Sequence, residues 1–84
     1  MNEIFYTRCA AKQLRKLPAA ESKTIRREVG KLANMPDCAG VKALVNQPCQ
    51  FRLCVGNYRV FFDFDGAARI VSIEKVKKRD ERTY

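Results

Sequence analysis

Two strand-like runs, Gln50–Val55 and Tyr58–Phe64, are separated by nothing but Gly56-Asn57. Two residues allow only a tight reversal, and Gly and Asn are the residues that accept the positive φ such a turn demands. The segment therefore predicts an antiparallel hairpin. In its first strand Phe51, Leu53 and Val55 fall on one face, and Gln50, Arg52 and Cys54 on the other. Asp65-Gly66 marks a second tight turn, after which Arg69-Ile70-Val71-Ser72-Ile73 reads as the last strand. The rest of the chain has to pack against this meander.

Upstream the pattern changes. Glu3-Ile4-Phe5-Tyr6-Thr7 is a short β-branched and aromatic run, read as a first strand. From Cys9 onward Ala10, Leu14 and Leu17 recur at helical spacing, with Lys12, Arg15 and Lys16 on the opposite side. Pro18 ends this helix and suits the start of the next, where Glu21 complements the positive end of the helix dipole. Ile25, Val29 and Leu32 repeat the spacing, while Lys23, Arg26, Arg27 and Lys31 face away. Pro36 and Gly40 bracket a polar turn that stops the second helix, and Val41–Val45 reads either as a short strand or as a loop anchored by Leu44. The expected fold is α+β: a strand, an αα-hairpin, then a three- to four-stranded, mainly antiparallel sheet with the helices over one face. A length of 84 residues suffices for one core, so residues 1–84 are expected to form a single domain.

Composition narrows the function classes. Hydrophobic residues at 46% and charged residues at 31% are globular proportions, and no stretch approaches the ~20 apolar residues of a membrane helix. The first residues lack the basic start and apolar run of a secretory signal, so a soluble, cytoplasmic protein is expected. Cys9, Cys38, Cys49 and Cys54 include no CxxC pair, and the chain has no histidine. Reduced thiols, no metal and no cofactor are the expectation, and a nucleophilic cysteine has no histidine to activate it. Without histidine, proton transfer at neutral pH falls to Lys, Tyr, Asp, Glu or Arg. A net charge of +8 favours polyanions, an acidic protein partner, or both.

The cations are partly scattered, eight of the 17 lying in residues 1–35, but the densest run closes the chain. Lys75, Lys77, Lys78, Arg79 and Arg82 follow the last strand, and Tyr84 closes the sequence. A tight hairpin sets Arg52 and Arg59 on neighbouring strands, and the next strand brings Lys75 to Arg79 to one end of the sheet. Whether Arg52 and Arg59 share a face depends on register, which the sequence leaves open. Converging Arg and Lys suit phosphate, the first as a planar fork and the second as a point charge. Tyr58 and Tyr84 offer surfaces on which a base can stack.

The ordered set of a strand, a helix pair, "FRLCVGNYRVFFDF" and "IVSIEKVKKRDERTY" resembles the RelE/ParE superfamily of toxins from toxin–antitoxin modules over nearly the whole chain. The segment around Arg52, Gly56, Tyr58 and Arg59 and the basic tail ending on tyrosine carry the likeness. The resemblance implies a compact α+β fold and one of two activities. RelE-like members cut messenger RNA in the ribosomal A site, the ribose 2′-OH attacking the adjacent phosphate, and use Lys, Arg and Tyr in place of histidine. ParE-like members poison DNA gyrase and generally lack that set, so the tail favours the RelE-like branch. A non-catalytic nucleic-acid-binding relative is a further alternative.

Carried over by position, Arg59 matches the arginine that binds the scissile phosphate and Arg52 a basic position on the preceding strand. Lys78 or Arg79 matches the tail cation that assists the leaving 5′-oxygen: spacing to the tyrosine fits Lys78, local similarity fits Arg79. Tyr84 matches the tyrosine that stacks on or orients the nucleotide, and Lys75, Lys77, Arg82 and Tyr58 are assigned to RNA binding. Gln50 stands where a RelE-like toxin carries a lysine, and Cys54 replaces the second arginine of the pattern. The general base then falls to Lys77, Lys78 or Tyr84. The resemblance also implies a cognate antitoxin, the ribosome with its 16S rRNA, and mRNA as partners.

Overall fold

The structure, a computed structural model, describes residues 2–35, 40–46 and 49–78. Its strands are β1 (Glu3–Tyr6), β2 (Val41–Ala43), β3 (Phe51–Val55), β4 (Tyr58–Asp65) and β5 (Ile70–Lys78), and its helices are α1 (Arg8–Arg15) and α2 (Ala19–Gly30). A 3₁₀ turn over Lys31–Asn34 continues α2. The strands form one five-stranded sheet in the order β1-β5-β4-β3-β2. The α+β class holds, and the ambiguous Val41–Val45 segment supplies an edge strand.

The hairpin forms as its sequence predicts. Val55 pairs with Tyr58, and Gly56 carries the turn at φ +55. The second turn is looser than expected. Asp65 pairs with Ile70, its carboxylate accepts hydrogen bonds from the amides of Ala67 and Ala68 at 3.0 Å, and Arg69 takes φ +57. The side chain thus organises a four-residue loop in place of a two-residue turn.

β5 departs furthest from its reading. It runs on to Lys78 rather than stopping at Ile73, and it lies antiparallel to β4 and parallel to β1. The register slips between Phe61 and Phe62, leaving Glu74 as the extra residue of a β-bulge. Strict alternation from Val71 and Ile73 would send Lys75 and Lys77 into the core. The bulge inverts the phase, so Val76 is buried and Lys77 is exposed. Two side chains of the α1 segment satisfy the backbone that the bulge disturbs. Thr7 Oγ1 donates to the Glu74 carbonyl at 3.0 Å while accepting from the Ala10 amide at 3.2 Å as the N-cap of α1. Gln13 Oε1 accepts from the Val76 amide at 2.6 Å.

One core lies between the helices and one sheet face. Ala10, Leu14, Ile25, Val29 and Leu32 meet Leu53, Val55, Tyr58, Val60, Phe62, Val71, Ile73 and Val76 there. Phe62 is fully buried and stacks on Phe51 with ring centroids 5.6 Å apart. The cations predicted to face away from the core in the helical region, Lys12, Arg15, Lys16, Lys23, Arg26, Arg27 and Lys31, are all exposed. Among the described residues no helix is long and apolar enough to cross a membrane.

Candidate functional site

The sheet face turned away from the helices gathers the predicted cations. Directly paired residues of an antiparallel ladder project on the same side, so the register can be read as rows of neighbours. Lys42, Arg52, Phe61 and Lys75 form one row across β2, β3, β4 and β5. Cys54, Arg59 and Lys77 form the next row toward the hairpin end. Arg52 and Arg59 therefore share a face as diagonal neighbours, about 7–8 Å apart by the usual sheet geometry. The question left open by the sequence is answered by the pairing of Arg59 with Cys54 rather than with Arg52.

Local chemistry prepares this face for an anion. Arg52 is partly buried, and its Nε has no hydrogen-bond partner among the described residues. A desolvated, unpaired donor on a charged group is costly, and an anionic oxygen would relieve it. Lys75 Nζ sits over the Phe61 ring, 5.4 Å from its centroid. The opposite end of the face is acidic and tied up internally. Asp63 Oδ1 accepts from the Gln50 amide at 2.7 Å, Gln50 Oε1 accepts from the Phe64 amide at 3.1 Å, and Ser72 Oγ donates to Glu74 at 3.2 Å. Gln50 thus extends the β3–β4 ladder through its side chain. Cys49 is buried beside this region, and desolvation, reinforced by Asp63, pushes its thiol above the usual range.

Two expected site residues stand elsewhere. Tyr58 is only 8% exposed, and its hydroxyl donates to Glu21 on α2. Its ring belongs to the core and joins the hairpin to the helix layer, so it offers no face to a base. The hydrogen bond to Glu21 raises its pKa above 10.0, with burial adding to the effect. Lys78 pairs with Tyr58 and so shares the helix side of the sheet, exposed at its end. It is not brought onto the face of Arg52, Arg59, Lys75 and Lys77. Arg79, Arg82 and Tyr84 lie outside the described residues. Sequence reasoning assigned no binding role to Lys42 or Phe61, the remaining members of the first row. Lys42 had no signal, because the pairing of a three-residue edge strand cannot be read locally. Phe61 had one, as the outward residue between the inward Val60 and Phe62.

No known protein-family profile matches the chain, and no curated protein matches it in sequence. Solved structures do. A chain of the RelBE2 toxin–antitoxin complex from Mycobacterium tuberculosis superposes with a TM-score of 0.81 at 25% identity, covering 93% of this chain and 98% of that one. The chain has the fold of the RelE toxins. The isolated Escherichia coli RelE toxin gives 0.80 at 16% identity, over 96% of this chain and 87% of that one. A chain of the archaeal RelE–RelB complex from Pyrococcus horikoshii OT3 gives 0.80 at 21% identity, over 95% and 97%. The RelE-like resemblance read from Arg52, Gly56, Tyr58, Arg59 and the basic tail is borne out at the level of the fold.

Proposed function

We propose that this RelE-like chain is the toxin of a toxin–antitoxin pair and cleaves messenger RNA on the ribosome. The observation that carries the reading is the pair of cross-strand rows, which collects Lys42, Arg52, Arg59, Lys75 and Lys77 on one sheet face. Such a surface fits the backbone of single-stranded RNA. In the reaction the 2′-OH of one nucleotide attacks the adjacent phosphorus, the bond to the 5′-oxygen of the next nucleotide breaks, and a 2′,3′-cyclic phosphate remains. Charge builds on the non-bridging oxygens as the phosphorus becomes five-coordinate. Arg59 is the group assigned to meet that charge, with Arg52 beside it and its Nε awaiting an acceptor.

Lys77, directly across from Arg59, and Tyr84 are the candidates for taking the 2′-OH proton, and Arg79 is assigned to the leaving oxygen. Arg79 and Tyr84 enter from the sequence resemblance alone. The ribosome would present the codon and its 16S rRNA would meet the remaining positive surface, which sets the activity in the cytoplasm as an arrest of translation. Structural neighbours that are RelE–RelB complexes support an antitoxin as partner, and the exposed cations of α1 and α2 would suit an acidic segment of it that neutralises the protein. The test is cleavage of a ribosome-bound message by the purified chain. Wild type is expected to produce fragments ending in cyclic phosphate, and Arg59→Ala to lose at least a hundredfold in rate, the order of one oxyanion-type donor. Intact message with trapped gyrase would instead select the ParE-like activity.

A further inference from the structure

With Tyr58 locked in the core, the two cationic rows hold one aromatic ring among the described residues, Phe61; the exposed Phe5 shares the sheet face but stands in the row of Ser72 and Asp63, away from the cations. Phe61 stands at the centre of the longer row, between Arg52 on β3 and Lys75 on β5, and is partly exposed. We propose that Phe61 is the platform on which a base of single-stranded RNA stacks, with Lys75 covering the ring until RNA arrives. The inference rests on the RNA-binding reading above and adds to it a residue that recognises the base where the cations recognise only phosphate.

First, neighbouring cations set the phosphates of a single strand along the two rows, and an aromatic ring within such a track is the usual means of holding unpaired bases, because every base has a π-face. Second, the Lys75 ammonium over the ring is held by the ring quadrupole, an attraction weaker than that of a full negative charge. A phosphate oxygen therefore draws Lys75 off the ring as the base takes its place, so the two partners of Lys75 are exchanged rather than lost. Third, the ring is fixed by the sheet on both sides. Val60 and Phe62, which flank Phe61 on β4, are fully buried and anchor the backbone beneath the ring in the core.

The chain contains no tryptophan, so Phe61→Trp introduces a single indole at the site. Hexa-adenylate is expected to quench its fluorescence on binding, and an abasic oligonucleotide with the same number of phosphates is expected to bind without quenching. Phe61→Leu, checked for unchanged folding by urea titration, should weaken hexa-adenylate binding on the order of tenfold. It should leave affinity for the abasic strand and the salt dependence at wild-type values, since stacking releases no counterions. Equal affinity of wild type and Phe61→Leu for hexa-adenylate, with no quenching of the indole, would overturn the stacking role while RNA binding stands. If wild type shows no salt-dependent affinity for either strand, the RNA-binding reading falls and takes this inference with it.

Discussion

The clasp between α1 and the β5 bulge sets which way Lys75 and Lys77 face, so it is the place to test whether the site depends on the fold as described. Thr7→Val keeps the shape and removes the hydroxyl. Two hydrogen bonds are lost: the cap to the Ala10 amide and the bond to the Glu74 carbonyl. A lost N-cap costs about 1 kcal/mol, and the orphaned carbonyl adds about 1 kcal/mol. Gln13→Leu strands the amide of the buried Val76, at a cost of about 1–3 kcal/mol. Each change is a sizeable part of a total stability on the order of 5–15 kcal/mol.

Urea unfolding followed by circular dichroism should show Thr7→Val destabilised by about 2 kcal/mol with an unchanged slope, and Thr7→Ser close to wild type. Because both side chains serve the same bulge, the double variant should deviate from additivity by at least ~0.5 kcal/mol. Hydrogen exchange at the Val76 amide should accelerate in Gln13→Leu. If Thr7→Val unfolds at the wild-type urea concentration, or the Val76 amide keeps its protection in Gln13→Leu, the clasp does not hold the bulge and the account of the cation phase is wrong.

Three further outcomes follow from particular residues. Tyr58 ionises above its ordinary value of 10.0 in the folded chain, so its share of stability is complete below that pH and is lost as pH rises through the folded value. Wild type should thus lose stability above about pH 10 more steeply than Tyr58→Phe, although Tyr6, raised chiefly by burial, keeps part of the slope in both. Gly56→Ala meets no atom within 4 Å of the new Cβ, so its cost is the backbone strain at φ +55 alone, about 1 kcal/mol by urea titration. Lys77→Gln should weaken binding to single-stranded RNA regardless of sequence and reduce the salt slope by about 0.7, as loss of one phosphate contact requires.

The helix pair and the hairpin were legible because their signals are local. Ala10, Leu14, Ile25 and Val29 repeat at helical spacing, and Gly56-Asn57 permits one connection. The phase of β4 was harder to read, since Phe61, Phe62 and Phe64 put apolar residues on both faces and hide that Tyr58, Val60 and Phe62 point inward. For β5 the alternation is broken by the bulge at Glu74, so Lys75 and Lys77 read as a tail when they belong to a strand. The parallel pairing of β1 with β5 joins segments about as far apart as the chain allows, and no local pattern reports it. The same holds for Lys42, whose place beside Arg52 is decided by pairing alone.

The central claim, that the face carrying Arg52 and Arg59 cuts RNA, is tested most directly by mapping the 5′ ends of messages on ribosomes after the chain is induced. New ends are expected at defined codon positions, with cyclic phosphate on the upstream fragments, and they should disappear in a stably folded Arg59→Ala variant. The same ends at the same frequency in Arg59→Ala would contradict it.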